Sequence, residues 1–309
     1  YGFGTYMFED RQREGVWELY PRAYRWGGNT SSRFNYKIDA WNAAADWFFH
    51  NYGSDQPKMI DRFMAEVLQK GAAPAITLPM LPWIAKDRVS FSFPRKLFPQ
   101  QERFEGDAGN GIGSKGEKLR ADPKLTSIAN SPEFVAAWVL QLKKQFGKAP
   151  HVYIMDNEPM LWNSTHRDVV PEPMKYESYL KRYIEFAYAV RKADPQAVIT
   201  GPAAWGWLEM QYSAWDIEGP HSQWQKQTDR KAHGNKPFLE WFLEQISQKE
   251  KQLKVSLLDQ LDVHYYPEMD RWPAGDDKNP ERRRALIEST RSLWDKSYRD
   301  NSWIDEKIY

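Results

Sequence analysis

The chain has 309 residues, enough for one large α/β barrel or two smaller domains. Its 43 basic and 42 acidic side chains leave a formal net charge of +1, so there is no electrostatic case for a nucleic-acid partner or an anionic membrane surface. Cysteine is absent, which excludes disulfides, thiolate metal sites and a thiol nucleophile, and no apolar run approaches the roughly 20 residues that span a bilayer. The outlier is aromatic content: 15 Trp, 16 Tyr and 15 Phe in a chain of mean hydropathy -0.77. Such rings either fill a large core or form flat, partly exposed surfaces on which the C–H faces of sugars stack.

In chain order, Tyr1 to Tyr6 reads as the end of a strand and its loop, and Tyr1 to Asp10 has the character of mature sequence rather than of a signal peptide. Arg22 to Trp26 is a strand stopped by Gly27-Gly28-Asn29. Asp39 to His50 has helical spacing through Ala40, Ala43, Ala44 and Trp47. Pro57 to Lys70 is a clearer helix, with apolar residues at three- and four-residue steps and Gly71 as its stop. Pro74 to Leu78 is the next strand. Phe91 to Asn130, rich in Gly, Lys and Pro, is a long loop excursion. Ser131 and Pro132 open a helix that runs to about Phe146.

His151 to Met155 then reads as a buried strand, and Pro159 forbids its continuation in a sheet interior. Asn157 and Glu158 are thereby delivered at a strand's C-terminal end. Helices follow at Met174 to Lys192, Lys236 to Lys249 and Pro280 to Trp294, with strands at Ala197 to Thr200 and Leu257 to His264. The alternation implies a parallel sheet with helices outside. No glycine-rich dinucleotide or phosphate loop follows any strand, whereas polar and aromatic residues follow each of them. The expected fold is therefore an α/β, TIM-like (β/α)8 barrel, incomplete in this chain, with roughly strands 1 to 6 and their helices in one domain over residues 1–309.

On a barrel, four strand ends converge on one face: Arg25 to Asn29, Asn157-Glu158, Trp205 to Trp207 and His264 to Glu268. A Glu there protonates a glycosidic oxygen while the Asn amide holds a sugar hydroxyl. The alternative is a helix-starting turn with Asn157 as its cap. Arg25 either orients a carboxylate or forms a structural ion pair. His264 acts in chemistry or lines the wall, and Trp205 stacks a sugar or wedges a loop.

The stretches RWGGN (Arg25 to Asn29), DNEPMLWNSTH (Asp156 to His166), GPAAWGW (Gly201 to Trp207), LDVHYYPE (Leu261 to Glu268) and NSWI (Asn301 to Ile304) resemble glycoside hydrolase family 44 in order and approximate spacing. The resemblance implies a secreted, monomeric barrel enzyme that cleaves internal β-1,4 bonds of cellulose-like or xyloglucan chains with retention. Glu158 matches the acid/base and Asn157 its neighbouring sugar ligand. Arg25, Asn29, Trp47, Trp162, Trp205, His264, Tyr266 and Trp303 fall at substrate-binding positions. The family's nucleophile is a Glu some tens of residues beyond the NSWI region, so it is expected beyond residue 309, with Glu268 the only stand-in inside the chain. No cofactor is required, a structural calcium ion is compatible with the family, and the expected partner is a β-glucan polysaccharide. Two other readings remain open: another β-1,4-glycanase such as a mannanase or xylanase, or a non-catalytic glucan-binding barrel fragment.

Overall fold

The computed structural model describes residues 2–3, 17–18, 20, 22–54, 58–147, 152–219, 223–266 and 279–299. Contacts divide the chain into two units, residues 1–263 and 264–309.

The first unit is built on six strands: β1 (Gly2–Phe3), β2 (Ala23–Trp26), β3 (Ala73–Leu78), β4 (Val152–Met155), β5 (Val198–Ala204) and β6 (Gln260–Val263). They pair in chain order, each parallel to the next. This is the strand arrangement of an incomplete (β/α)8 barrel. Strand β5 runs farther than Ala197 to Thr200 suggests, because Gly201 and Pro202 stay in the ladder with β6 and Ala204 rejoins it past a register shift at Ala203.

Four long helices cover the sheet: α1 (Met59–Gln69), α2 (Pro132–Phe146), α3 (Tyr176–Ala193) and α4 (Phe238–Leu253). On α1, Met59, Ile60, Phe63, Met64 and Val67 recur at the three- and four-residue spacing of one face, and that face is buried. Helix α2 starts as its sequence indicates, with the Ser131 hydroxyl accepting the Phe134 amide and Pro132 in the first turn. Much of the aromatic excess lies in the core beneath these helices. Trp26 meets Phe34 and Trp138 edge-on, and Trp138 stacks on Tyr36.

The helix expected over Asp39 to His50 is not formed. Ala40–Asn42 is instead a strand paired antiparallel with Asn51–Gly53, around a single 3-10 turn at Ala44–Trp47. Asp39, Ala44, Phe48 and Phe49 all have positive φ, which a continuous α-helix does not tolerate. Buried Asn42 replaces helical hydrogen bonds: its amide donates to the Phe49 carbonyl and to Asn51 Oδ1, and its Oδ1 accepts the Ala44 amide. The 91–130 segment is the expected excursion. It is stemmed by an antiparallel pair, Trp83–Ala85 with Ser127–Ala129, and carries a small ribbon, Phe104–Glu105 with Ala108–Gly109.

Hairpin and excursion are held together by Arg33, which is wholly buried. It pairs with Asp168 at 2.7 Å and donates to Asn42, Thr126 and Ser127 at 3.0, 2.8 and 2.6 Å. Both NH2 groups of the guanidinium are thus engaged and Asp168 Oδ2 also accepts the Ser92 hydroxyl at 2.5 Å, whereas Arg33 Nε and Asp168 Oδ1 have no hydrogen-bond partner among the described residues.

In the second unit, α5 (Pro280–Ser289) is capped by the Asn279 side chain and continues as a 3-10 turn over Thr290–Leu293. The Tyr265 hydroxyl bonds to the Ser289 carbonyl and Ser292.

The turn after β2 depends on Gly27. Its φ is +102°, and a Cβ there would stand 2.6 Å from both Ser31 Oγ and Thr77 Cβ. Gly27→Ala should lower stability by about 1–3 kcal/mol. Urea unfolding should show this as a lower midpoint at unchanged slope, and an unaltered midpoint would contradict the packing described.

Candidate active site

The site is assembled where β2, β3, β4 and β5 end. After β4 the chain makes an abrupt turn in which Asp156 and Glu158 both take left-handed backbone, at φ +66° and +47°. Such conformations cost free energy in a non-glycine residue and persist only where surroundings impose them. Here the surroundings are explicit. Asp156, fully buried, accepts the Ser32 hydroxyl at 2.5 Å, its neighbour's amide at 2.7 Å and the Met80 amide. Burial pushes the Asp156 carboxyl's pKa up, opposed by these three hydrogen bonds and by the charge of Arg182. One side chain thus ties together the loops after β2, β3 and β4.

Arg25, half-buried on β2, donates to Thr77 Oγ1 at 3.3 Å and to Asn157 Oδ1 at 2.8 Å. Arginine can only donate, so it fixes which end of the Asn157 amide is oxygen and leaves the NH2 group to donate elsewhere. Glu158 is half-buried, and its amide donates to the Ala203 carbonyl of β5 at 3.0 Å. Trp205 is half-buried too, its indole N–H directed at Met160 Sδ.

Trp47 is the exposed aromatic of this group, 49 % accessible. Its turn is tied to the end of β2 by Asn29, whose amide donates to Asp46 at 2.8 Å. Trp162, expected at a sugar, is corrected by its burial. It is 1 % exposed, packs edge-on to Tyr179 and donates its indole N–H to the Asn157 carbonyl. It supports Asn157 from behind and offers no face to a ligand.

A second carboxylate stands behind the turn. Glu209, in the short helix Trp207–Gln211, is 2 % exposed and accepts the Met160 amide at 3.2 Å and the Trp205 amide at 2.6 Å. Burial raises its pKa from near 4.5 to about 8. The two amides oppose that rise, and the nearby charge of Glu158 adds to it. Sequence reasoning passed over Glu209 because a Glu in the first turn of a helix is ordinary. Only its burial distinguishes it. His166, which closes the DNEP-to-His run, is buried and held neutral, its pKa pushed well down by burial and then by Arg33.

The profile of glycoside hydrolase family 44 matches residues 40–269. The chain belongs to that family. Endoglucanase A of Paenibacillus lautus is 28% identical over 307 residues, covering 91% of this chain, which spans 41% of that relative's length. CelM2, a bifunctional glucanase-xylanase from a metagenome library, superposes with a TM-score of 0.85 at 30% identity, over 98% of this chain and 60% of that one. A Paenibacillus polymyxa family 44 xyloglucanase, solved with xyloglucan, gives 0.70 at 21% identity, over 100% of this chain and 60% of that one; that likeness speaks to fold alone.

Within this family 44 unit, the structure brings Arg25 and Asn157 into direct contact, with Glu158 next in the chain, while Asn29 reaches the turn that carries Trp47. His264 and Tyr266 belong to the second unit, their rings 6.3 Å apart and Tyr266 55 % exposed. Trp303 and Glu268 lie outside the described residues. Among the described residues there is no group of three or more His, Asp or Glu side chains that could hold a metal ion.

The raised Glu209 carboxyl has a signed consequence. Between about pH 4.5 and 8 the folded chain keeps a proton that the unfolded chain has lost. This group's contribution to stability is therefore present at low pH and falls as pH rises through that window, by at most roughly 1.4 kcal/mol per unit. Relative to wild type, Glu209→Gln should gain in Tm as pH is raised from 5 to 8. A Tm difference independent of pH would show that Glu209 is ionised throughout.

Proposed function

We propose that this chain carries the acid/base half of an endo-acting, retaining glycosidase that cleaves β-1,4-glucan, with cellulose-like chains and xyloglucan as substrates. The observation that carries the reading is the Arg25–Asn157–Glu158 arrangement: an amide with its oxygen already engaged, next in the chain to a half-buried carboxyl at a strand's C-terminal end. Membership of family 44 and the likeness to proteins named endoglucanase, glucanase-xylanase and xyloglucanase support it.

In this reading a glucan lies across the strand ends, with Trp47 and Trp205 as apolar platforms. Glu158 donates a proton to the departing glycosidic oxygen while a second carboxylate attacks the anomeric carbon, and it then deprotonates water to release the glycosyl–enzyme intermediate. Asn157, its amide oriented by Arg25, donates to the sugar 2-hydroxyl, where binding strengthens in the transition state. The family resemblance assigns substrate binding to His264, Tyr266 and Trp303 as well. The whole chain forms part of one barrel domain, acts as a monomer outside the cell and needs no cofactor.

Reducing-sugar release from carboxymethyl cellulose and xyloglucan tests this, with the chain assayed beside a version extended past Tyr309. Glu158→Gln should reduce turnover by at least about 10³-fold in the active form while leaving glucan binding within a few-fold. Wild-type turnover by that variant would refute the assignment. Activity confined to the extended version would put the attacking carboxylate downstream. Activity of the 309-residue chain that is lost in Glu268→Gln would assign it to Glu268. Binding with no release by either version would favour a glucan-binding module.

A further inference from the structure

We propose that Glu209 is a positioning residue for the reaction: its buried carboxyl bridges the backbone amides of Met160 and Trp205, and so holds Glu158 and the Trp205 ring at one fixed separation. The inference rests on the reading of Glu158 as the acid/base.

Glu209 touches the two loops that matter and binds each by backbone. Met160 lies two residues after Glu158, and Trp205 begins the loop after β5. Two further bonds cross the same seam: the Glu158 amide to the Ala203 carbonyl, and the Trp205 indole to Met160 Sδ. Of these three links, Glu209 alone is a side chain accepting from both loops at once, one oxygen to each. The acid/base turn is strained at Asp156 and Glu158, and Ala203 opposite is also left-handed, at φ +54°. Backbone of this kind moves when a restraint is removed. An error of an ångström in a proton donor is costly to the rate.

The neighbourhood favours holding over reacting. Glu209 is enclosed, lining a small cavity with Pro159, Met160, Tyr179, Lys175 and Tyr212. The titratable groups facing it are Glu158 across the seam, Tyr179 and Lys175 from the segment around the start of α3, and Tyr212 at the end of its own helix. A glutamine has the same shape but only one acceptor oxygen. It would turn its NH2 against one of the two backbone N–H donors and push that loop away.

The test compares kcat/KM on two substrates, using whichever form of the enzyme releases reducing sugar. Cellotetraose needs a proton on its leaving oxygen, whereas 2,4-dinitrophenyl β-cellobioside, with a good leaving group, does not. If Glu209 positions the acid, Glu209→Gln should lose at least about tenfold on cellotetraose and less than about threefold on the aryl glycoside. Equal losses on both substrates, as general loosening would give, overturn the proposal, and so does no loss on either. Should Glu209→Gln fail to fold by circular dichroism, Glu209→Asp, too short to reach both amides, is measured on the same pair with the same criteria. Glu158→Gln run alongside separates the two failures. If it keeps full cellotetraose turnover, the acid/base reading has failed. If it loses that turnover while Glu209→Gln shows no selective loss, only the positioning proposal has failed.

Discussion

The constraint on which the site depends is the carboxylate of Asp156. It lies at the end of β4 in a conformation that a residue with a side chain adopts at a cost, and it accepts hydrogen bonds from Ser32, Met80 and Asn157. Each donor belongs to a different strand end or to the turn itself. In a dry setting hydrogen bonds to a buried carboxyl are stronger than in water, and their loss is expensive. The turn that presents Asn157 and Glu158 is therefore not shaped by its own residues alone. It is shaped by two neighbouring loops, those after β2 and β3, that converge on the residue before it.

Around this hub the same device recurs: a buried polar side chain satisfies the backbone of an irregular loop. Asn42 does it inside the hairpin, Asn51 between hairpin and excursion by donating to the Thr126 carbonyl, and Glu209 between the ends of β4 and β5. Regular helices and strands pair their own amides, but barrel-face loops cannot, and a buried unpaired amide costs as much as a lost hydrogen bond. The aromatic core supplies the apolar burial beneath, with Trp26, Trp138 and Trp162 each almost wholly enclosed. Long excursions on one face are compatible with a defined site because their polar backbone is accounted for by named side chains.

That division also explains what could be read from the sequence. Helices α1 to α4 and strands β2 to β5 were legible because a repeating apolar pattern signals each one, and caps such as Ser131 and Gly147 mark ends. The hairpin at Ala40–Asn42 was not legible. Alanines at three- and four-residue steps mimic a helix, and nothing local announces that Asn42 will turn inward and replace the helical ladder. Asn157 and Glu158 stood out as an unusual polar pair after an apolar strand. Asp156 and Glu209 did not, since their significance lies in partners 124 and 49 residues away, Ser32 and Met160. Trp162, which the resemblance places at a substrate-binding position, differs for the related reason that a motif match does not report ring exposure, and its ring is enclosed.

Two carboxylates on either side of one seam thus have opposite surroundings. Glu158 is half-buried. Glu209 is sealed, both oxygens engaged by amides, its proton affinity raised by burial and by the charge of Glu158. In the proposed reading Glu158 sheds and regains a proton in each cycle beside a neighbour whose two oxygens are already engaged. The chemistry then falls to the half-buried carboxyl, while the sealed one, tied to the Met160 and Trp205 amides, holds the two loops around it in place.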